Sequence, residues 1–427
     1  MALEGGVERV SDEGKGVTRR GEDYWRSHWN FHQSDRRKHR SEEEISLQES
    51  RIQTHCEEAQ VFISSPDESS LEEYLEEVIF FLNQNYVEDE DGEFRFVYQP
   101  EHIRWLMLPN HEHLDLLIGL REIHSGKLVG FLAASPITLH VGYPPASVVQ
   151  AEGDRDENYQ TTVSSGSQDV ALIDFVCVHK SRRGERLCPL LYDILDLRLQ
   201  RKGIVGMVKT SGTQLDYPAT EINYYHLTLN FDRCEVATFS PPRLLHQRRT
   251  SSKLTDSFTL LEEHHLESAF DLFTREAQKY SLGFRFPTLQ HTKHFLMERK
   301  DIVLTLVRQD PDSPNHITDL VTIFFVPHKI LIPGNPLEGK FLRIGYVSYH
   351  IATTITVLEL LKVAAVICRD RYELDCLNIL PVGAITGETC RQIRAGVGTG
   401  TLYYYINCGV GVDRPLTSSD LFIFPGV

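Results

Sequence analysis

The sequence predicts an α/β or α+β fold, because segments with strand and helix periodicity alternate along the chain. The alternation occurs twice, once before and once after residue 254, in a similar order. This similarity suggests an internal duplication, although no clear sequence repeat accompanies it. A length of 427 residues is enough for two ordinary domains or for one large fused domain.

Residues 1–69 are predicted to form a mostly flexible, charged N-terminal arm, because the stretch 36–58 holds few apolar residues. Within this arm, residues 24–31 form an aromatic island with the sequence Tyr-Trp-Arg-Ser-His-Trp-Asn-Phe. An aromatic island in a solvated tail suggests a segment that docks on another surface. The alternative interpretation is that these aromatic residues make only local, nonspecific contacts.

The first half of the folded part, residues 70–253, begins with a predicted amphipathic helix over 71–85. The segments that follow it are predicted from their alternation, apolar runs and turn residues. They are a strand over 94–98, a hairpin of strands 116–122 and 127–135, an exposed loop over 141–169, a buried strand over 173–179, a helix from 187, a strand over 205–209 and an irregular aromatic stretch over 215–229.

The second half, residues 254–427, repeats the alternation of helices and strands. Its predicted segments are a helix over 266–280, strands over 302–307 and 320–326, an apolar helix over 357–368, a glycine-alternating turn over 396–400 and a strand over 402–406. The apolar end, residues 421–427, is expected to be a buried strand. In that case the carboxylate of Val427 is held inside the protein.

The most informative stretch is 173–191, where a buried strand leads through a basic turn into a helix. Pro189 suits the first turn of that helix, where a backbone N–H has no intrahelical partner. Free N–H groups, the positive end of the helix dipole and three arginines therefore converge, which favours an anion site for a phosphate or pyrophosphate. The alternative is a solvated charged turn, and Glu185 counts against the anion site.

Composition narrows the class of partner. A net charge of −16 argues against nucleic acid as a partner. The eight cysteines include no CxxC pair, which indicates a reduced protein without a disulfide framework or metal site, and Cys177 is expected to be a buried apolar residue rather than a nucleophile. No signal pattern or transmembrane-length apolar run occurs, so a cytoplasmic protein is expected.

Several stretches, in the same order, resemble those of glycylpeptide N-myristoyltransferases. The matching runs are NYVEDED at 85–91, FRF at 94–96, KLVGF at 127–131, IDFVCVHK at 173–180, TSG at 210–212, YYH at 224–226 and RAGVGTG at 394–400. The chain is identified on these runs as a divergent member of that family. The resemblance extends from about residue 24 to the chain end.

The resemblance implies two fused halves of the GNAT (N-acetyltransferase) type around a saddle-shaped mixed sheet. It implies that the first half binds myristoyl-CoA and the second binds the peptide, with the C-terminal strand returning to the active site. The implied reaction transfers myristoyl from myristoyl-CoA to the N-terminal glycine amine of a protein. No metal is implied, and a monomer is expected.

The resemblance also assigns residues. The backbone N–H groups of Phe175 and Val176 would form the oxyanion hole, and the Val427 carboxylate would be the base. The implied myristoyl-CoA site comprises Tyr24, Trp25, Tyr86, Phe175, Val176, Cys177, Val178, Lys180, Arg183, Gly184, Arg186, Leu187 and Pro189. The implied peptide site comprises Glu88, Asp89, Phe94, Phe96, Thr210, Gly212, Tyr224, His226, Tyr349, Gly398 and Thr399.

Three positions depart from the family pattern. Asp174 replaces an asparagine, Glu185 replaces a basic residue and Thr399 replaces an acidic residue. Two alternatives to a myristoyltransferase follow: a catalytically weak paralogue that binds acyl-CoA or peptide amino termini, and a GNAT-like N-acetyltransferase that uses a shorter acyl chain.

Overall fold

A computed structural model describes residues 40–86, 92–107, 113–142, 166–204, 206–214, 218–239, 252–407 and 416–423. Within these ranges helices and strands alternate, as the sequence predicts. The helices are α1 (Glu42–Glu58), α2 (Leu71–Asn85), α3 (Pro100–Met107), α4 (Leu187–Arg201), α5 (Phe231–Val236), α6 (Ser252–Asp256), α7 (Leu266–Ala277), α8 (Leu289–Leu296), α9 (Val357–Asp370) and α10 (Gly387–Gln392).

The strands run through both halves. They are β1 (Val61–Ser64), β2 (Phe94–Phe96), β3 (Leu117–Glu122), β4 (Leu128–Val141), β5 (Gly166–Val178), β6 (Gly206–Ser211), β7 (Thr220–Thr228), β8 (Phe258–Leu260), β9 (Leu282–Arg285), β10 (Val303–Asp310), β11 (Ser313–Phe325), β12 (His328–Ile330), β13 (Phe341–Leu342), β14 (Ile344–Ala352), β15 (Cys376–Ile379), β16 (Gly396–Asn407) and β17 (Leu421–Phe422).

One large mixed sheet carries the architecture. Its order is β1-β3-β4-β5-β6-β16-β7-β15-β14-β11-β10-β8, with β9 and β17 attached beside β4. The pairs β5–β6, β14–β15 and β9–β17 are parallel, and the other pairs in this sheet are antiparallel. The predicted α/β class with a mixed sheet is confirmed. Strand β16 of the second half lies between β6 and β7, so the two halves interlock through backbone hydrogen bonds.

Helices cover both faces of the sheet. Helix α4 buries Leu187, Leu190 and Leu191 on one face, together with residues of α1 and β3–β6. Helices α2 and α3 pack on the opposite face around β4 and β5. Helix α9 packs on β14 and β15 of the second half. Both faces of the sheet around β5 are therefore covered by helices.

The prediction of a flexible arm is wrong for the part that the structure describes. Helix α1 is closed at its start by a capping box in which Ser41 and Glu44 exchange hydrogen bonds, and it buries Ile52 and Cys56. Arg40 pairs with the buried Asp196 of α4 at 2.6 Å. Few apolar residues are enough to hold α1 in place, because two of them, four positions apart, face α4. The aromatic island at 24–31 lies outside the described residues.

Three smaller predictions also differ from the structure. Within the stretch 215–229, which was expected to be irregular, residues 220–228 form the regular strand β7, and Ile222, Tyr225 and Leu227 are buried there. The glycine-alternating turn at 396–400 is the start of β16, with a register irregularity between Val397 and Thr401. The strands on either side of the predicted loop at 141–169 extend into it, because β4 runs to Val141 and β5 already begins at Gly166.

Two further observations concern metal-binding groups and membrane-spanning helices. Within the described ranges, no group of three or more His, Cys, Asp or Glu side chains is arranged to hold a metal ion. None of the helices among those residues is long and apolar enough to cross a membrane.

Candidate functional site

The centre of the site is a bulge in β5 at Asp174. Antiparallel pairing with β4 runs through Phe175↔Ala133 and then resumes at Ile173↔Ala134, so Asp174 is the extra residue. Up to Ile173, odd-numbered residues of β5 face α4; beyond the bulge Val176 does. Phe175 packs on the opposite face. The bulge therefore places the side chains of Asp174 and Phe175 on the same face, away from α4.

A gap opens beside β5 immediately after this bulge. The parallel ladder with β6 ends at Ile173↔Lys209, whereas β5 continues to Val178. His179 donates its N–H to the Val129 carbonyl of β4 at 2.9 Å. Because backbone groups alternate in an antiparallel ladder, the N–H groups of Val176 and Val178 point away from β4, into the gap. A ligand carbonyl in the gap can accept a hydrogen bond from Val176.

The basic turn after β5 is a short 3₁₀ segment, Lys180–Arg182, followed by two left-handed residues, Gly184 and Arg186. Helix α4 begins at Leu187, and no side chain caps its N-terminus. Lys180, Arg183 and Arg186 are exposed at this end. Their positive charges and the uncapped helix N-terminus make the turn suitable for a phosphate group.

Asn85, the last residue of α2, holds this turn in place. Its buried side chain accepts a hydrogen bond from the Lys180 N–H at 3.1 Å, and its backbone carbonyl accepts from the Arg183 guanidinium at 2.8 Å. Its own amide donates to the Phe81 carbonyl at 2.9 Å. The end of α2 thereby fixes the turn beside β5. The sequence did not single out Asn85 as a site residue, although it opens a matching run.

Glu185 does not present an isolated negative charge to the turn. Its carboxylate lies 2.6 Å from Arg182 Nε, and the same guanidinium lies 3.4 Å from Glu122. Arg182 also donates to the Ala59 carbonyl at 2.9 Å. The repulsion expected from Glu185 toward an anion is therefore partly offset by its pairing with Arg182.

An aromatic cluster connects the bulge to the second half. The Phe175 ring lies 5.5 Å from both Tyr86 and Tyr98. From Tyr98 the contacts continue through Phe96, at 6.5 Å, to the stacked ring of His328, at 4.4 Å. These distances suit edge-to-face and offset stacking. The cluster is mostly buried and forms an apolar wall along the face that Asp174 shares.

A polar pair network lies within this wall. His328 Nε2 is 2.8 Å from the Tyr346 hydroxyl, and His226 Nδ1 is 2.6 Å from Asn378 Oδ1. Burial lowers the pKa of His328 to about 3, with His226 as a further cause, and burial also lowers the pKa of His226. Both imidazoles are therefore neutral near pH 7, and they can donate or accept hydrogen bonds without adding charge. A Cβ at Gly398 would collide with the His226 ring, so a larger residue there would force that imidazole to move.

Residues 421–423, close to the C-terminus in sequence, lie near the same region. Strand β17 pairs in parallel with β9, and Phe422 lies 6.5 Å from the ring of Tyr349. The Tyr404 hydroxyl donates to the Ile423 carbonyl at 3.2 Å, and Tyr404 is the cross-strand partner of Thr210. Residues 421–423 are buried, as predicted for an apolar chain end.

The structure places many of the predicted residues near one another. The bulge, gap, basic turn and start of α4 hold Phe175, Val176, Cys177, Val178, Lys180, Arg183, Gly184, Arg186, Leu187 and Pro189. The face with the aromatic wall holds Tyr86, Phe94, Phe96, Tyr224, His226, Tyr349 and Gly398, while Thr210 and Gly212 lie at and just after the end of β6. Tyr24, Trp25, Glu88, Asp89 and Val427 lie outside the described residues, as does the side chain of Thr399.

Cys177 behaves as predicted, since burial raises the pKa of its thiol to about 12 and keeps it protonated. The sequence missed Tyr98, His328 and Tyr346 as components of the wall. Tyr98 ends an alternating aromatic segment, which is a signal that could have found it. His328 and Tyr346 carry no local signal, because they meet the cluster only through strand pairing.

Comparison with known proteins identifies the family. Residues 66–222 match the family model for the N-terminal domain of myristoyl-CoA:protein N-myristoyltransferase, and residues 242–408 match the model for its C-terminal domain. Glycylpeptide N-tetradecanoyltransferase of Dictyostelium discoideum is 28% identical over 341 residues, covering 78% of this chain and 76% of the relative. Glycylpeptide N-tetradecanoyltransferase 1 of Arabidopsis thaliana is 28% identical over 342 residues, covering 77% and 71%.

A solved structure shares the fold. The crystal structure of Saccharomyces cerevisiae N-myristoyltransferase with bound myristoyl-CoA superposes with a TM-score of 0.66 at 23% identity, covering 81% of this chain and 78% of that chain. The two family models together span most of the chain. They cover most of the stretches in which the family motifs occur in order. The chain belongs to the myristoyl-CoA:protein N-myristoyltransferase family.

Proposed function

We propose that this protein transfers myristoyl from myristoyl-CoA to the N-terminal glycine amine of protein substrates. The observation that carries the proposal is the bulge at Asp174, with a gap beside β5 that opens directly onto the basic turn at 180–186. A thioester lying in this gap would have its carbonyl beside a backbone N–H and its phosphates beside an uncapped helix N-terminus. Family membership makes myristoyl-CoA the acyl donor of choice.

The residues of the turn fit the phosphates of such a donor. Lys180, Arg183 and Arg186 are exposed cations, and the backbone of the turn is fixed by Asn85. Tyr24 and Trp25 would cover the donor, and Tyr86 with the strand residues 175–178 would line the gap. Cations at a preordered turn bind a pyrophosphate without a large ordering cost.

Stabilisation of the oxyanion is proposed to come from the backbone. The N–H of Val176 points into the gap, and Phe175 N–H lies at the irregular part of the ladder. Preordered N–H donors stabilise the negative charge that develops on the carbonyl oxygen when an amine attacks it. Because the pKa of Cys177 is raised to about 12, a covalent acyl-cysteine is disfavoured, and direct attack by the glycine amine is proposed instead.

The peptide is proposed to lie along the aromatic wall, which residues of both halves form. Phe94, Phe96, Tyr224, His226 and Tyr349 line this face, with Thr210 and Gly212 at the end of β6 and Gly398 and Thr399 on β16. Glu88 and Asp89 would meet basic residues of the peptide. The Val427 carboxylate is proposed as a proton acceptor, supported by the approach of residues 421–423 to Tyr349 and Tyr404.

The test is acyl transfer from myristoyl-CoA to a peptide that begins Gly-x-x-x-Ser, with the same peptide beginning with alanine as the control. We expect acylation of the glycine peptide alone, and a slower reaction with acetyl-CoA. Adding one residue after Val427 should reduce turnover while myristoyl-CoA binding stays unchanged.

Each rival has its own outcome in this assay. Tight myristoyl-CoA binding without transfer to any glycine peptide would favour the binding-only paralogue. A preference for acetyl-CoA would favour an N-acetyltransferase. Either result would refute the proposed function.

A further inference from the structure

Lys209 is a charged residue beside the gap that the proposed mechanism does not use. It lies on β6 and pairs with Ile173, the last residue of β5 that takes part in the β5–β6 ladder. Met207, two positions earlier on β6, is buried in the cluster around α4. Since side chains alternate along a strand, the Lys209 side chain also lies on the α4 face of the sheet, opposite the aromatic wall.

The Lys209 ammonium lacks a partner of opposite charge. Its Nζ lies over the ring of Tyr192, on α4, at 5.1 Å from the ring centroid. Among the residues that the structure describes, none forms a hydrogen bond or an ion pair with this ammonium. Burial lowers the pKa of Lys209, and the thiol of Cys188 at the start of α4 partly opposes this. A hydrogen-bond acceptor supplied by a ligand would therefore stabilise the ammonium.

The geometry of a thioester in the gap indicates where its acyl chain goes. The carbonyl carbon carries three groups in one plane, namely the oxygen, the sulfur and the chain. When the oxygen accepts from the Val176 N–H and the sulfur points to the phosphates at the turn 180–186, the chain points the other way, toward the pair Ile173↔Lys209. The β5–β6 ladder closes the gap at that pair, so the chain has to leave the plane of the sheet.

The α4 face is the side of the sheet that remains for the acyl chain, because the peptide is proposed to lie along the aromatic wall on the other face. The first carbons of the chain would there meet Val176, Cys188, Tyr192 and the side chain of Lys209. The first three suit a hydrocarbon. The Lys209 ammonium does not, since covering an ammonium with hydrocarbon removes water without supplying a hydrogen bond.

We propose that Lys209 is a specificity-determining residue that selects acyl-CoA donors whose chain carries an oxygen close to the thioester, such as a hydroxyl on the third carbon, over donors with an unsubstituted chain. This inference rests on the proposed function, because it requires a thioester in the gap. The oxygen accepts a hydrogen bond from the Lys209 ammonium, and the rest of the chain packs as hydrocarbon. Myristoyl-CoA is then a donor whose chain leaves that ammonium without an acceptor.

Calorimetry with donors of equal chain length tests this inference without turnover. The donors are myristoyl-CoA and two analogues, hydroxylated on the third carbon and on the last carbon of the chain. The parent is expected to bind the first analogue roughly tenfold more tightly than myristoyl-CoA, because hydrogen bonds to charged groups are the stronger ones. The second analogue should gain nothing. Lys209→Met keeps a long unbranched side chain without the charge, so this variant should bind myristoyl-CoA more tightly than either analogue.

Lys202→Met is the matched control for this titration. Lys202 lies at the C-terminal end of α4, the opposite end from the basic turn, and pairs with Asp115 at 3.0 Å. The same chemical change is therefore made outside the site. The control variant should keep the donor preference of the parent.

The outcomes separate this inference from the proposed function. Free coenzyme A, which has no acyl chain, should bind the parent and Lys209→Met equally, because its phosphates are proposed to lie at the basic turn. Equal binding of myristoyl-CoA and the first analogue by the parent, or an unchanged preference in Lys209→Met, would overturn the role of Lys209 and leave the proposed function intact. Failure of the parent to bind any of the three donors would refute both.

Discussion

At the scale of single residues, buried histidines couple this fold to pH. Burial lowers the pKa of His102 to about 4, of His328 to about 3 and of His350 to about 4. An unfolded histidine has a pKa near 6.5, so below that pH the unfolded chain binds protons that the folded chain does not. The free energy of unfolding therefore falls as the pH drops from about 6.5 toward 4. Above that window these histidines do not make the free energy of unfolding depend on pH.

His102→Leu tests this coupling at one position. His102 is 1% exposed in α3 and packs edge-on against Trp105 at 5.4 Å. Each such histidine contributes a slope of about 1.4 kcal/mol per pH unit between pH 6 and 4.5. The variant should lose that slope, as measured by denaturant unfolding at several pH values.

The control for this measurement is His124→Leu. His124 lies exposed in the turn between β3 and β4, so its surroundings change little on unfolding. The pH slope of this variant should match that of the parent. An unchanged slope in His102→Leu would show that folding does not lower the pKa of His102.

At the scale of elements, the basic turn between β5 and α4 is the part whose charges set donor affinity. Glu185 is the one acid in the run 180–186, and its side chain is 44% exposed while it pairs with Arg182. Arg182 keeps two other partners, Glu122 and the Ala59 carbonyl, if that pair is removed. The geometry of the turn should therefore survive a change at Glu185.

Glu185→Lys is expected to tighten coenzyme A binding by about three- to tenfold at low salt, because it replaces a negative charge near the phosphates with a positive one. The gain should vanish at high ionic strength, where the Debye length falls to about 3 Å. Calorimetric titration at two salt concentrations measures both effects.

Glu388→Lys is the matched control for that titration. Glu388 also pairs with an arginine three positions away, Arg391 at 3.0 Å, but it lies on α10 in the second half. Its replacement should leave coenzyme A affinity unchanged. If Glu185→Lys has no effect either, the turn does not bind the phosphates.

At the scale of the whole molecule, the interlocked sheet makes the two halves one folding unit. Strand β16 pairs with β6 through Tyr404↔Thr210 and with β7 through Tyr404↔Thr220. Strand β7, from the first half, also pairs with β15 of the second. Separating the halves would break these ladders and leave backbone groups without partners, which is costly.

Truncation of a core side chain in either half should therefore lower the temperature of a single melting transition that both halves share. Leu75→Ala in α2 and Leu361→Ala in α9 each remove a fully buried leucine, at a cost of about 2–5 kcal/mol. We expect one calorimetric transition in both variants, shifted to lower temperature. Two resolved transitions, with only one of them moving, would show that the halves unfold independently.

The sequence alone determined the elements whose periodicity is local. The helix predicted over 71–85 has the same bounds in the structure, because Leu75, Val78 and Leu82 repeat on one face and are buried there. The order of short motifs determined the family, since each motif is a contiguous run. The basic turn and the start of α4 were also predictable, because a strand, a charged turn and Pro189 follow one another directly.

The tertiary structure alone decided what depends on partners distant in sequence. The bulge at Asp174 exists only relative to β4, and the gap beside Val176 exists only because the pairing of β5 with β6 ends at Ile173 while β5 continues. Helix α1 folds because α4 offers a surface for its two buried residues and a buried carboxylate for Arg40. Local propensity is summed along the chain, whereas pairing and packing are set by which segments meet, and the site of this protein is built from such meetings.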